Sequence, residues 1–211
     1  MSYASLIGAQ FFISSGLDAA KTVTGISNAA PPVVSAAAHG YSNGDEILLN
    51  VGWEDFDQSI VRASSVAAGT FNIAGYDSSN TNWYPAAGSA GTAQKVSGWI
   101  PLGQILGITP SGGDASFEEL KPFDRRNGVK IPTGFSAASL EMTLGWDRSR
   151  ADQQALQAAS KSLSKLAVKF ALPGGVYGYA YGTVSASALP NFETVLKQKV
   201  VLTMAGMFTS F

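Results

Sequence analysis

Frequent glycines and prolines break this sequence into short apolar segments, and this feature constrains the fold more than any other. The 211 residues include 23 glycines and nine prolines. The segments between them are rich in Val, Ile, Thr, Phe and Tyr, which favour strands, and the breaks carry turn residues. The pattern is typical of a mainly β fold with many turns, built as one large domain or as a domain with a smaller insertion.

Three segments in the C-terminal half show the clearest strand pattern. In residues 140–146, Leu, Met, Leu and Trp alternate with Glu, Thr and Gly, and residues 166–172 repeat the alternation before a Pro-Gly-Gly turn. Residues 195–208 place apolar side chains on one face and lysines and a threonine on the other. These segments predict half-buried strands.

One helix is predicted between the first two of these strands, at about residues 150–162. Ala155, Leu156 and Ala159 recur there with helical spacing. Ser149 lies three residues before Asp152, which resembles a capping box with Asp in place of Glu or Gln. We therefore expect Ser149 to cap a helix that covers one face or end of a sheet.

A row of tyrosines alternates with small residues between positions 176 and 185. Tyr177, Tyr179 and Tyr181 lie on one face of the predicted strand, and Gly178 and Gly182 lie on the other. The small face predicts a close approach by another backbone. The tyrosines form either a stacking platform for a sugar or base, or partly buried packing and subunit contacts, and we favour packing.

Residues 29–97 differ in character from the rest of the chain. They open with Pro31 and Pro32, contain a dense turn cluster at 38–45, and close with a tract rich in Pro, Ala and Gly at 85–91. Strands are expected at 46–51, 59–65 and 70–76. We interpret residues 29–97 as a small inserted β module joined through two flexible necks, with residues 1–28 and 98–211 forming the main domain.

The composition excludes several classes of function. Only 14% of residues are charged and the formal net charge is −1, so the chain has no basic excess for tight binding of nucleic acid. It has no cysteine, which excludes disulfides, thiolate nucleophiles and cysteine-ligated zinc. No signal peptide is evident at residues 1–16 and no apolar run is long enough to span a membrane, so we expect a soluble protein without membrane insertion.

The single histidine, His39, is the first candidate for chemistry. It would serve a catalytic triad with Ser35 and Asp45, or it would occupy a turn before Gly40 and hydrogen-bond to local backbone. We favour the turn, because a triad needs a geometry that no local spacing supplies. The acidic run at 54–57 lacks the loop pattern of a calcium site and is interpreted as a solvated hairpin end. No catalytic, cofactor-binding or metal-binding residue is predicted.

Residues 111–135 are predicted to form a long polar loop of mixed charge, which is unusual in a compact domain unless it has a function. Glu118 and Glu119 are adjacent, so in an extended chain their carboxylates would point to opposite faces and would not form an acid–base pair. We instead expect a subunit-contact loop. Its predicted contact residues are Glu118, Glu119, Asp124, Arg125, Arg126 and Lys130.

The order of the elements outside the insertion resembles a known family. The resemblance is carried by the segment 99–105, the polar loop, residues 131–134, the strand ending in Leu-Gly-Trp-Asp at 144–147, the helix with Gln153 and Leu156, and the Phe-Ala-Leu-Pro-Gly turn at 170–174. In this order, the elements are similar to those of the major tail tube proteins of non-contractile, long-tailed bacteriophages. The resemblance covers residues 1–28 and 98–211 and is strongest towards the C terminus.

The resemblance implies a β-sandwich or barrel-like tube domain with one flanking helix, here carrying the small β module on the outer surface. It further implies a structural virion protein, not an enzyme, that self-assembles into stacked hexameric rings. These rings would form the tail tube, through which DNA passes without specific binding during genome ejection. The implied partners are further copies of the chain and the tape measure, tail terminator and distal tail proteins, with synthesis and assembly in the host bacterial cytoplasm.

Two other classes compete with this interpretation. The tyrosine row and the module would form a binding domain directed at a carbohydrate or cell surface, on a virion or a secreted protein. A hydrolase is the third class and is disfavoured, because no catalytic constellation is evident. Assembly also has a physical reason of its own, since joining copies edge to edge removes exposed strand edges.

Overall fold

The computed structural model describes residues 8–192 and 194–211, and within them the chain is mainly antiparallel β structure with one helix. The predicted fold class, mainly β with a single helix, is confirmed. Residues 1–7 of the predicted main domain lie outside the described residues. The elements are β1 (Gln10–Leu17), β2 (Lys21–Val23), β3 (Gly25–Ile26), β4 (Val33–Ser35), β5 (Glu46–Val51), β6 (Ser59–Ala67), β7 (Thr70–Ile73), β8 (Gly91–Leu102), β9 (Ile105–Ser111), β10 (Ala115–Leu120), β11 (Val129–Phe135), β12 (Ser139–Gly145), α1 (Ala151–Ser162), β13 (Lys165–Leu172), β14 (Val176–Ala186), β15 (Asn191–Phe192), β16 (Leu196–Met204) and β17 (Thr209–Ser210).

Neighbouring strands form one long antiparallel path in the order β3-β4-β7-β6-β5-β8-β1-β13-β14-β16-β12-β9. Three short strands pair off this path, β2 with β8, β15 with β16, and β17 with β14. Within the described residues, strands β10 and β11 pair only with each other and form a separate two-stranded sheet.

Two main clusters of buried side chains lie along this path. The N-terminal core is formed by β2–β8 and the turns between them, around Trp53, Phe56 and Phe71. The C-terminal core is formed by β1, β8, β12, β13, β14 and β16 with the fully buried Leu156 of α1. The helix packs chiefly on β14, so it covers part of the sheet as the sequence predicts.

Strand β8 belongs to both parts of the chain. Its first residues pair with β5, and residues 96–102 pair with β1, so one strand runs without interruption past position 97. Ladder hydrogen bonds therefore hold the chain on both sides of position 97, where the sequence analysis ends the module. The division into a module and a main domain stays a prediction.

The C-terminal strands confirm the periodicity argument. Met142 and Leu144 of β12, Val168 of β13, and Val200 and Leu202 of β16 are fully buried, as the alternation predicts. A Cβ added at Gly182 would overlap the carbonyl oxygen of Thr203 on the neighbouring strand β16, which confirms that another backbone approaches the small face of β14.

The predicted helix is confirmed, but its predicted cap is wrong. Arg150 occupies the N-cap position with an extended backbone and makes no side-chain cap. The Ser149 hydroxyl instead donates to Asp147 Oδ1 at 2.6 Å, and the Ser149 N–H donates to the same oxygen at 2.9 Å. These two hydrogen bonds between Ser149 and Asp147 form a local turn, and such turns compete with helix capping for the serine hydroxyl.

A third, smaller cluster joins the two cores. Leu48 and Ile60 from the N-terminal part pack with Ala167 and Tyr179 from the C-terminal part. Beside it, the Glu46 carboxylate accepts hydrogen bonds from Tyr179 Oη at 2.8 Å, Trp99 Nε1 at 2.6 Å and Lys169 Nζ at 2.5 Å. The cores are thus held together by both apolar packing and a nearly buried ion pair.

Candidate assembly surface

The segment predicted as a polar loop is a β-hairpin. Strands β10 and β11 pair in antiparallel register from Ala115–Phe135 to Leu120–Val129, with one irregularity between Ser116 and Phe117. The loop prediction at 111–135 is therefore wrong in conformation. Mixed charge suggested a loop, yet both strands are long enough to pair with each other, and every residue of both is exposed.

All six predicted contact residues lie on this exposed hairpin. Glu118 and Glu119 are on β10, Lys130 is on β11, and Asp124, Arg125 and Arg126 are in the loop between the strands. The Arg125 N–H donates to the carbonyl oxygen of Pro122 at 3.2 Å, which helps to shape that loop. Whether these residues contact another subunit stays a prediction.

The register separates the two adjacent glutamates, as the sequence predicts. Glu118 lies opposite Ile131, and Glu119 lies opposite Lys130. Directly opposite residues share a face, so the two carboxylates lie on different faces of the hairpin. Glu119 also forms an exposed ion pair with Lys121 at 3.6 Å.

The hairpin also carries large apolar side chains that the sequence reasoning missed. Phe123 at the tip is fully exposed, and Phe135 near the root is 80% exposed. Leu120 and Val129 lie directly opposite each other near the tip, on the face that also carries Ile131. The signal was present in the alternation of Val, Lys and Ile at 129–131. Grouped exposed apolar side chains of this kind are typical of interaction surfaces.

An apolar groove of about 550 Å³ lies where the hairpin leaves the sheet. The rings of Phe11, Phe170 and Phe208 form one wall, with centroid separations of 5.4 and 6.0 Å between successive rings. Ile108 and Leu140 also line the groove. The residues of the hairpin root that line the groove are Ser111, Gly112, Ala138 and Ser139.

Strand β9 forms one end of the long sheet path. Within the described part of the chain it pairs only with β12, where Pro110 lies opposite Leu140. Proline lacks an N–H and is tolerated at the edge of a sheet. The free side of β9 therefore presents unpaired backbone groups of the kind that recruit another strand.

The tyrosine row is not an open stacking platform. Tyr179 is 1% exposed, and its burial together with its hydrogen bond to Glu46 raises its pKa far above the usual range. The Tyr177 ring is occupied on its face by Arg62 and Lys169, each 5.3 Å from the ring centroid. Packing, the favoured interpretation of the row, is confirmed for Tyr179.

His39 is a structural residue. Its Nδ1 accepts the Tyr41 N–H at 2.9 Å, and its Nε2 lies 2.9 Å from the carbonyl oxygen of Ala67, to which it donates. Both ring nitrogens are engaged by backbone, so a triad with Ser35 and Asp45 is not formed. The predicted turn role is confirmed, and His39 also packs against Tyr41 and Phe71.

The acidic run at 54–57 lies in the turns after β5 and is partly integrated into the N-terminal core. The Tyr84 hydroxyl donates to Asp55, and burial together with this carboxylate raises the pKa of Tyr84 to about 12. Among residues 8–192 and 194–211, no group of three or more His, Asp or Glu side chains is placed to hold a metal ion. No helix in the same residues is long and apolar enough to cross a membrane.

Comparison with known proteins matches the chain to a family. The sequence model of a family described as "Phage tail tube protein, TTP" matches residues 51–211, which include the hairpin, α1 and most of the groove. No curated protein matches the chain significantly. A solved structure titled "Cryo-EM structure of the anti-feeding prophage cap (AFP tube terminating cap)" is 17% identical over 49% of this chain and 78% of that chain, with a TM-score of 0.32.

Proposed function

Because the chain belongs to the phage tail tube protein family, which makes it a structural protein of the virion tail, we propose that it assembles into stacked hexameric rings that form the tail tube. The tube would be the conduit for genome ejection into the host. The observation that carries this proposal is the family match over residues 51–211. The tape measure, tail terminator and distal tail proteins would be the further partners, and assembly would take place in the host bacterial cytoplasm.

The surface of the chain supports assembly with further copies. Strand β9 leaves one edge of the sheet free, and the hairpin that follows it has every residue of both strands exposed. Isolated two-stranded hairpins are marginally stable in water, so contact with a neighbour would stabilise this one. Joining copies would also cover the open edge.

The charge balance supports a passive conduit for DNA. A wall that neutralised phosphates with lysine and arginine would retain DNA through release of counterions. This chain has 14 basic and 15 acidic residues and therefore no excess of positive charge. DNA would move through such a tube without specific binding.

Negative-stain electron microscopy of the purified protein at increasing concentration tests the proposal. We expect rings or tubes with six-fold end views. Dispersed single particles at every concentration would contradict the proposal.

The charged residues of the hairpin supply a second test. We propose that Glu118, Glu119, Asp124, Arg125, Arg126 and Lys130 contact neighbouring subunits. Arg125→Glu combined with Arg126→Glu should reduce the yield and length of tubes, because paired charges at an interface become like charges. The matched control is Arg148→Glu with Lys161→Glu, which changes the net charge equally at two exposed cations of the α1 region. Equal yield and length in the two double variants would refute the contact role.

A further inference from the structure

The apolar tip of the hairpin and the apolar groove are complementary features that the charged-contact proposal does not use. The tip presents Phe123, which is fully exposed, flanked by Leu120 and Val129. The groove has a volume of about 550 Å³, which is large enough for an aromatic side chain with an aliphatic neighbour. Exposed apolar surface on both features favours burial of one against the other.

The position of the groove excludes the hairpin tip of the same copy in this conformation. Ser111 and Ser139, at the two ends of the hairpin root, line the groove. Strand β11 has seven residues, so the tip extends about 20 Å from that root at roughly 3.3 Å per residue. A tip that lies in a groove must therefore come from a different copy.

We infer that Phe123, flanked by Leu120 and Val129, anchors the hairpin of one copy in the groove between Leu140 and Phe208 of the next copy. This inference rests on the proposed tube assembly and names the acceptor surface for its hairpin. Each copy carries one tip and one groove at different places, so the contact is head-to-tail. Head-to-tail contacts generate rings where the rotation closes and filaments where it does not.

Disulfide trapping tests the contact directly, because the chain has no cysteine of its own. Phe123→Cys is placed in one preparation and Val176→Cys, at the exposed rim of the groove, in another. After mixing, assembly and mild oxidation, we expect a disulfide-linked mixed dimer. The control pairs Val176→Cys with Trp83→Cys, because Trp83 is another exposed aromatic residue and belongs to the N-terminal part. The 123–176 bond should form at least about tenfold faster than the control bond.

Assembly of a serine variant gives an independent readout. Phe123→Ser should raise the protein concentration needed for half-maximal assembly about tenfold or more, since each joint loses a buried aromatic anchor. Trp83→Ser, which also removes an exposed aromatic side chain, should leave that concentration unchanged.

The outcomes separate this inference from the proposed function. Wild-type rings without a faster 123–176 disulfide, or with normal assembly of the Phe123→Ser variant, overturn the docking contact and leave the tube proposal standing. A chain that carries both cysteines and forms the bond internally at high dilution also overturns it, because the groove would then hold its own hairpin. Failure of the wild-type chain to assemble overturns both.

Discussion

The nearly buried carboxylate of Glu46 should be among the most sensitive single positions for the stability of this protein. It lies at the start of β5 and accepts hydrogen bonds from Lys169 on β13, Tyr179 on β14 and Trp99 on β8. The perturbation is Glu46→Gln, which keeps the size of the side chain. It removes the negative charge and replaces one acceptor oxygen with an amide nitrogen, which can only donate.

The magnitude follows from the burial of the pair. Breaking a buried ion pair from one side costs about 3–5 kcal/mol, because the other charge stays buried without a partner. The side chains of Glu46 and Lys169 are 13% and 18% exposed, so some solvent screening remains and the lower end of that range applies. We expect a loss of about 3 kcal/mol in the free energy of unfolding. For a chain of this size this corresponds to a decrease of roughly 6–12 °C in Tm.

The assay is urea unfolding followed by tryptophan fluorescence, at a concentration where the chain is monomeric. The matched control is Glu141→Gln, because Glu141 pairs with Lys199 at 2.6 Å on the surface, with side chains 40% and 58% exposed. An exposed pair of this kind contributes about 0–1 kcal/mol. A Glu46→Gln loss no larger than the control loss would refute the reasoning that this ion pair joins the two cores.

Two further positions give sharp predictions. Gly182→Ala should lower the free energy of unfolding by about 2 kcal/mol or more, because its Cβ would overlap the Thr203 carbonyl on the neighbouring strand. The control is Gly107→Ala, where the added Cβ meets open space, and it should cost under about 1 kcal/mol in the same unfolding experiment. Burial alone would raise the pKa of Asp152, but hydrogen bonds from Arg150 and two backbone N–H groups outweigh it and lower that pKa. A lowered pKa in the folded state gives stability that is present above the unfolded-state pKa and lost as the pH falls through the folded-state value. Asp152→Asn should therefore lower the free energy of unfolding at neutral pH and make that free energy fall less steeply below about pH 4. An equally steep fall in the variant and the wild type over this acid range would contradict this.

Local patterns in the sequence predicted the C-terminal strands and the helix well. The alternation at 140–146 and 166–172 and the helical spacing around Leu156 each depend on neighbouring residues that share one buried face. Such periodicity is visible without knowledge of the rest of the fold. The predicted cap at Ser149 was wrong because the Ser149 hydroxyl hydrogen-bonds to Asp147 and not to the first turn of the helix.

The hairpin was harder to predict because neither of its strands has a buried face. Its strands expose charged and apolar side chains on both faces, so no single buried face gives a clear period. The sequence analysis considered only the charged residues of this segment as contacts and overlooked Phe123 and Leu120 beside them.

The groove and the Glu46 cluster depend on long-range contacts that no local pattern encodes. The groove brings Phe11 together with Leu140 and Phe208, and Glu46 meets Lys169 across 123 positions of sequence. Both features follow from the strand order of the sheet, which the sequence did not reveal. The continuous β8 likewise became evident only from its pairing with β5 and β1.

Native mass spectrometry across a concentration series tests the central claim of assembly most directly. The chain has a mass of 21.9 kDa. We predict that a species of six times this mass, or multiples of it, appears and grows as the concentration rises. A single species at 21.9 kDa throughout the series would contradict the account.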